Sequence, residues 1–483
     1  MGTRLVRYLE TNFSPRPPRA GVPPARRGST ALPDGARVVV VGGGIAGSAF
    51  CRQLLTLSQE QGRRVTLYLV NSTNCNYCGG LVTGVARETL AGLYGLDIPA
   101  DLILRQVKSC VYLNAAGGVE VALHTPMTAI LRTSRFGIPG FDDAIKERIT
   151  AGLRPPWSES LVDLEPTIVT SVARPDPRGP WLVTLSRKAP DGSPVRLEAD
   201  VLVMAAGFKS LRRPMLQEFQ ELTGFRPPPV MPASVTEIDT GKARYNEIGN
   251  RMFIADGIIP GCIVAFIPKG ERWVTVTSLG RRLEKSDLDA IFAHPSVKRY
   301  IDLPDASQTP RCHTVCGANV FTGPSARFYG DGWLVLGDLA GYGRVLKDGY
   351  YAAFLQGRLA AEALVYHGTG RASLARHYHR PLRRFLLDNR VGMALYRANR
   401  WLENKSWFGR FLISAAGEES RRNPYGGPVH GAIRALASGE LNYRLILALF
   451  VHGLLGHALR HPGRALAAWF PRRKGAGGRT EPM

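Results

Sequence analysis

The chain has 483 residues, of which 45% are hydrophobic and 21% charged. That balance excludes a disordered or low-complexity protein and leaves room for two associated domains with a substantial core. Its 62 basic residues against 39 acidic ones give a formal charge of +23, but the bases are dispersed and no finger, homeodomain or RNP pattern accompanies them, which excludes a dedicated nucleic-acid binder.

Residues 1–35 mix arginines with Pro15, Pro17, Pro18, Pro23 and Pro24 and hold no apolar run, so they read as a basic disordered tail and not as an export signal. Arg37 to Val41 is a valine-rich strand that runs into Gly42-Gly43-Gly44-Ile45-Ala46-Gly47, followed by a helical stretch, Ala46 to Gln59, and a second strand, Val65 to Val70. Strand, G-x-G-x-x-G, helix and strand in that order point to a dinucleotide site. Gly42 permits the tight turn, Gly44 lets backbone approach a pyrophosphate, and Gly47 lets the helix pack on the strand; Ile45 and Ala46 open the helix whose N–H groups face the phosphates. The acidic residue expected after the second strand is Asn71, whose carbonyl oxygen can still accept from a ribose hydroxyl.

A loop, Asn71 to Gly84, carries Cys75 and Cys78; a short helix, Arg87 to Leu93, follows. Arg132, Arg135 and Phe136 precede Phe141-Asp142-Asp143, which opens helical spacing to Ala151. Trp181 to Ser186 and Val195 to Met204 flank an Asp191-Gly192 turn, and Cys262 to Ile267 and Trp273 to Ser278 flank Lys269-Gly270-Glu271; both read as hairpins. Gly332 to Leu336 is an apolar strand ending at Gly337-Asp338, and Gly349 to Tyr366 is helical, with Tyr350, Phe354, Leu355, Leu359 and Ala363 near one face. Everything beyond Arg380 reads as helix. The most apolar part, Leu445 to Leu459, is interrupted by His452 and His457 and flanked by Arg444 and Arg460. It falls short of the about 20 residues that span a bilayer and reads as an interfacial or a core helix.

The expected fold is therefore α/β, a Rossmann-like, doubly wound nucleotide-binding domain interrupted by a β-sheet substrate domain, with a helical C-terminal region. The partition is 36–150 for the first part, 151–325 for the mixed segment, 326–375 for the returning strand and helix, 376–470 for the helices and 471–483 for a basic tail. A late strand–Gly-Asp–helix is the arrangement of a flavoprotein, where a simple NAD dehydrogenase would complete its sheet in consecutive units.

With Gly42, Gly44, Gly47, Gly337 and Asp338, the chain resembles the flavoproteins of the hydroxylase and geranylgeranyl reductase superfamily. Cys78-Gly79-Gly80-Leu81 looks like the reductase branch's Cys-Gly-Gly loop near the isoalloxazine. Pro260 to Pro268 has the prolines and spacing of its P-x-x-Y-x-W-x-F-P pocket motif, and Gly439-Glu440-Leu441-Asn442-Tyr443 echoes its C-terminal helices. Ile263, Ala265 and Ile267 stand at the motif's aromatic positions. Ala205-Ala206-Gly207 stands where hydroxylases carry Ala-Asp-Gly, and Gly341 to Gly349 lacks the family's proline and carries Lys347-Asp348.

The resemblance implies FAD, held by Gly42, Gly44, Ile45, Ala46, Gly47, Asn71, Gly79, Gly80, Arg132, Gly337, Asp338 and Gly349. Asp338 would accept from a ribityl hydroxyl; a helix-capping Asp is the other reading, and the glycine turn at Gly42 favours the ligand role. Arg132 and the acids at 142 and 143 belong near the cofactor by resemblance, or at a helix start as dipole partners. Cys75 and Cys78 admit three readings: a redox dithiol, half a zinc site completed by Cys312, His313 and Cys316, or a flavin-proximal Cys78 with a bystander. The third is adopted, with Cys312 and Cys316 structural and no metal. His457 and His461 have H-x-x-x-H spacing, but Ala458 stands where a zinc protease carries Glu, so no histidine is assigned a catalytic role.

The expected activity is reduction of a carbon–carbon double bond in an apolar, isoprenoid or lipid-like substrate, with electrons from NAD(P)H or another donor. Pro260, Ile263, Ala265, Ile267 and Pro268 would line the pocket under a cover of C-terminal helices, with Tyr350 or Cys78 as proton donor or flavin tuner. A flavin monooxygenase or halogenase, and a degenerate flavoprotein-fold module at a membrane surface, are the alternatives. Seven cysteines without a secretory segment point to a reducing, cytoplasmic setting, and the basic flanks of the apolar C-terminal segment suit peripheral contact with the anionic inner face of a membrane. The oligomeric state stays open.

Overall fold

The computed structural model describes residues 31–72, 78–134, 137–301, 315–347, 349–403, 405–423 and 425–463. Most of both expected tails, and the expectations for Cys75, Arg135, Phe136, Cys312, His313 and Asp348, lie outside the described residues.

The first sheet has six strands in the order Tyr329–Gly330, Trp333–Val335, Val201–Met204, Ala36–Val41, Val65–Val70, Leu161–Asp163, all parallel except the first. Its central strand is an unbroken valine run because both faces are covered: Val38, Val39 and Val40 have no exposed surface. The chain leaves that strand through α1 (Ile45–Glu60), adds Val65–Val70, Leu161–Asp163 and Val201–Met204 to the sheet, and closes it some three hundred residues later with Trp333–Val335, which leads into α2 (Gly349–Glu362). The two helices touch at backbone distance, since a Cβ on Gly357 would lie 2.8 Å from the Phe50 nitrogen and 3.1 Å from the Ala49 carbonyl carbon. The first sheet is thus interrupted and closed, as the sequence implies.

The interruption is an eight-stranded sheet in the order Cys316–Phe321, Val230–Asp239, Trp273–Leu279, Ile263–Lys269, Arg251–Asp256, Arg105–Asn114, Gly117–Ala129, Leu81–Val82. Its one parallel pair joins Arg251–Asp256 to Arg105–Asn114. The long hairpin from Arg105 to Ala129 belongs to this sheet, although the sequence partition keeps those residues with the nucleotide domain. A third, three-stranded sheet holds Val169–Ala173, Trp181–Lys188 and Pro194–Ala199.

Both expected hairpins form, but the expected single strand Val195 to Met204 divides at Asp200. Pro194–Ala199 alternates burial and completes the small sheet, whereas Val201–Met204 is buried throughout and enters the parallel sheet. Asp200 fixes the junction: its carboxylate accepts from the Arg37 backbone N–H at 2.8 Å, and its own N–H donates to the Arg37 carbonyl at 2.9 Å.

The C-terminal region is helical: α3 (Arg384–Leu402), α4 (Ser406–Arg422), α5 (Pro428–Ser438) and α6 (Tyr443–Arg460). Asn442 caps α6 by accepting from Leu445 N–H at 3.0 Å. Leu412, Ala415, Ala416, Val429, Ile433 and Ala437 share one buried cluster with Val107, Val121, Met127 and Ile267, so the helices roof the eight-stranded sheet.

Candidate active site

One cavity of about 1470 Å³ runs between the two large sheets and under the helices. A pocket for a single drug-sized ligand measures roughly 300–1,000 Å³, so this one has room for a cofactor and a second molecule. At one end stands the glycine turn. Gly42 has φ 111, and a Cβ there would overlap the Ala205 carbonyl oxygen; only glycine makes the turn. A Cβ on Gly47 would overlap the Gly42 carbonyl oxygen, so this residue serves helix packing and does not line the cavity. A Cβ on Gly44, by contrast, meets nothing nearer than Arg132 Nη2 at 3.5 Å, and its backbone borders the cavity with Ile45 and Ala46. The three glycines thus divide into two that shape the backbone and one that keeps a surface open.

Asn71 sits against this turn. Its Oδ1 accepts from Gly43 N–H at 3.1 Å, so part of the acceptor capacity expected for a ribose is engaged by the loop. Ala205 and Ala206 form the facing wall.

Gly337 and Asp338 reach the same cavity from the returning strand. The Gly337 N–H donates to Gln356 Oε1 at 2.8 Å while Gln356 Nε2 donates to the Tyr342 carbonyl at 2.7 Å, so a buried amide on α2 pins the turn. The Asp338 side chain opens into the cavity although it lies deep in the protein; burial raises its carboxyl pKa, and the Arg132 charge draws it back. Among the described residues no backbone N–H donates to that carboxylate, which leaves it available to a ligand hydroxyl. Gly349 lies beside it: a Cβ there would be 3.7 Å from Asp338 Oδ1.

The loop between them is held from the helical side. Asn389 accepts from Val345 N–H at 3.1 Å and donates to the Gly343 carbonyl at 2.8 Å, Tyr443 donates to the Val345 carbonyl, and Arg344 stacks over the Tyr443 ring at 4.4 Å. These side chains fix the segment from Gly341 to Lys347.

Between the two ends stand Cys78 and Tyr350, with Cys78 Sγ 3.4 Å from the Tyr350 hydroxyl and accepting from Gly80 N–H at 3.3 Å. Burial, with the neighbouring thiol, pushes the Tyr350 hydroxyl well above its usual pKa, so it holds its proton at any physiological pH. Its ring meets Phe141 edge-on at 5.9 Å, and the Arg132 guanidinium lies 5.9 Å from its centroid. Arg132 forms a two-pronged pair with Asp142, at 2.8 and 2.6 Å. Burial works against the guanidinium charge, but Asp142 outweighs it and the pKa lies well above normal. Gly80 has φ 64, and a Cβ there would overlap the Ile130 carbonyl oxygen; one on Gly79 would come within 3.0 Å of Ile267 Cδ1. The Cys-Gly-Gly loop therefore rests on the strand expected to hold substrate.

On that strand the alternation of side chains decides which residues face the cavity. Ile263, Ala265 and Ile267 line it; Pro268, one step out of register, faces away, and Pro260 lies in the exposed preceding turn. The placement of the two prolines is corrected accordingly: they shape the strand's ends and do not line the cavity. The helices add Leu395, Leu402, Phe408, Leu412, Ile433 and Phe450, which make this end apolar.

Sequence reasoning missed a polar group in the same wall. Asp256 accepts from Tyr112 Oη at 2.8 Å and Asn399 Nδ2 at 2.7 Å and pairs with Arg400; Tyr112, Asp256 and Asn399 all border the cavity. These partners are spread from residue 112 to residue 400, and no local signal links them. Cys316 stands on an edge strand, half-buried and free. His457 and His461 do meet a carboxylate, but it comes from α4: Glu418 Oε2 lies 3.2 Å from His457 Nδ1 and 2.8 Å from His461 Nε2, and Arg422 and Arg460 also reach Glu418. The bases already neutralise that carboxylate, and the group ties α4 to α6.

No protein-family model matches the chain, and no curated protein sequence matches it. Solved structures do. A geranylgeranyl bacteriochlorophyll reductase-like protein from Thermoplasma acidophilum superposes with a TM-score of 0.60 at 13% identity, over 89% of this chain and 99% of that one. A flavoprotein/dehydrogenase from Cytophaga hutchinsonii gives 0.55 at 12%, over 84% and 93%. The flavin-dependent halogenase CmlS gives 0.55 at 15%, over 90% and 95%. At such identities the likeness is one of fold: the chain has the α/β fold of these flavoproteins across most of its length.

Proposed function

We propose that the protein is an FAD-dependent oxidoreductase that reduces a carbon–carbon double bond in an apolar, isoprenoid- or lipid-like substrate, with electrons from NAD(P)H or another donor. One observation carries this reading: a single cavity joins the glycine turn and Asp338 to an apolar chamber, with Cys78 and Tyr350 at the junction. The residues fit the cofactor. Gly44 presents open backbone at a helix N-terminus, and Asp338 offers a carboxylate with no described N–H to satisfy. Bound FAD supplies hydride chemistry that no side chain can.

The chain's own groups do the rest. Gly44, Ile45 and Ala46 receive phosphate, Asp338 accepts from the ribityl chain, and Arg132, steadied by Asp142, places a fixed positive charge in the same wall. Ile263, Ala265, Ile267 and the helical cover orient the alkene and exclude water. The Tyr350 hydroxyl, neutral and hydrogen-bonded to Cys78, holds the proton that a reduced alkene carbon needs.

The same fold serves a flavin-dependent halogenase, so oxygen is the competing acceptor. The purified protein reconstituted with FAD and reduced without oxygen should be reoxidised by prenylated or polyunsaturated lipids. Reoxidation by oxygen and by no alkene would establish the monooxygenase reading instead, and a protein that stays colourless with added FAD would establish a cofactor-free binding module. Tyr350→Phe should retain flavin and lower the rate of alkene reduction by about a hundredfold; an unchanged rate removes Tyr350 from the chemistry.

A further inference from the structure

Helix α6 is apolar on two sides. Ile446, Leu449 and Gly453 are buried, while Leu447, Val451, Leu455 and Leu459, spaced every four residues, are 39%, 49%, 60% and 82% exposed. A helix apolar all round is ordinarily enclosed, and this one presents a full stripe to the outside. The stripe is continuous with the cavity: Leu447 and Val451 line it, as do the exposed Leu436 on α5 and Ala398 on α3. These four residues are the lips of its apolar end. Trp401, 69% exposed, stands three residues beyond Ala398 on α3, which packs against α6.

The stripe's own helix carries charge of one sign. From Tyr443 to Gly463 there is no acidic residue, and Arg444 and Arg460 bracket the stripe; each reaches an acid on a neighbouring helix, Asp388 and Glu418, yet their side chains stay 55% and 43% exposed while the two acids are nearly buried. The chain then continues past residue 463 with Arg464, Arg472, Arg473, Lys474 and Arg479 against the single acid Glu481. Among the described residues no helix is long and apolar enough to cross a membrane.

We infer that the outer faces of α3 and α6 dock on an anionic phospholipid bilayer, with the apolar mouth of the cavity opening onto it. The leucine stripe enters the acyl boundary, the aromatic Trp401 sits at headgroup level, and the flanking bases meet lipid phosphate. A partner protein of the same shape would need acidic groups around an apolar core; a bilayer presents that combination everywhere and also dissolves apolar ligands. The further step, that substrate moves from the bilayer into the cavity, rests on the reading of the function given above; the docking itself does not.

Flotation of the full chain with vesicles tests it without flavin or substrate. The protein should float with phosphatidylcholine vesicles containing phosphatidylglycerol, float poorly with phosphatidylcholine alone, and lose binding as salt rises. Leu455→Asp with Leu459→Asp should lower partition by about tenfold or more while thermal stability stays unchanged, because neither residue lines the cavity or belongs to the core. Failure of the wild type to float with anionic vesicles overturns the proposal, as does equal flotation by the double variant. A solution mass of two copies that falls to one in that variant assigns the face to self-association. Binding that survives the double variant but disappears on removal of residues 464–483 assigns it to the tail alone.

Discussion

The glycine cradle and the helical roof both border one cavity, but they are held by different physics. In the cradle, position is set by backbone approach: Gly42 and Gly47 stand where any side chain would overlap a carbonyl oxygen. In the roof, position is set by buried charged and polar side chains that reach across from one helix to the next. Arg434 has no exposed surface and donates to the Tyr425 carbonyl at 3.1 Å; Glu418 gathers two histidines and two arginines; Glu419 accepts from His430 N–H at 2.8 Å. Steric constraint is local and unforgiving. Charge pairing is distributed and depends on pH.

Substitution at Gly47 should show the sharpest contrast. Gly47→Val forces α1 away from the sheet and should cost several kcal/mol, enough to prevent soluble expression or shift the urea midpoint far down. Gly44→Leu, three residues earlier, should leave that midpoint within about 1 kcal/mol of wild type and abolish flavin retention, read by absorbance after gel filtration. Equal damage to folding from both would break the division of the glycines into shaping and opening roles.

Asp338→Asn keeps the shape and removes the charge. FAD affinity should fall by about ten- to a hundredfold, the worth of a charge-assisted hydrogen bond, with stability unchanged because the side chain opens into the cavity and packs in no core. Asn71→Ala should weaken affinity less than tenfold, since its carbonyl already serves Gly43. Titration with FAD measures both, and an Asn71 effect larger than the Asp338 effect would reverse the roles assigned to the two ends of the cradle.

The smallest effect belongs to the roof. Burial raises the Glu419 pKa to about 7 from an ordinary 4.5. A carboxyl raised in the folded state contributes its stability below about pH 4.5 and loses it as pH climbs through 7. His430 runs the other way: burial lowers it to about 4 from 6.5, so its contribution is whole above about pH 6.5 and is lost as pH falls toward 4. Glu419→Gln should therefore stabilise the protein at about pH 8 by about 1 kcal/mol, after allowance for solvent screening, and do nothing near pH 4. Chemical denaturation at the two pH values checks the sign.

The same difference explains what the sequence made legible. The cradle is written in consecutive residues, so Gly42 to Gly47, the second strand and Gly337-Asp338 can be read directly, and the Cys-Gly-Gly loop can be placed by resemblance. The hairpin from Arg105 to Ala129 escapes because its partners lie at Arg251–Asp256 and in the roof. Asp256 escapes because its hydrogen-bond partners are 143 and 144 residues away. The break at Asp200 is visible only as a change from alternating to continuous apolar character. The side on which Pro268 lies escapes for a simpler reason: a strand shows every second residue to one side, and a motif match does not say which.

The 3.0 Å separation between a Cβ on Gly79 and Ile267 Cδ1 has a consequence for how such a protein changes over time. The strand that lines the cavity and the loop that carries Cys78 approach so closely that residue 79 has no room to grow while Ile267 keeps its full length. Residues 79 and 267 form an epistatic pair: a side chain at 79 is tolerated only after Ile267 is trimmed.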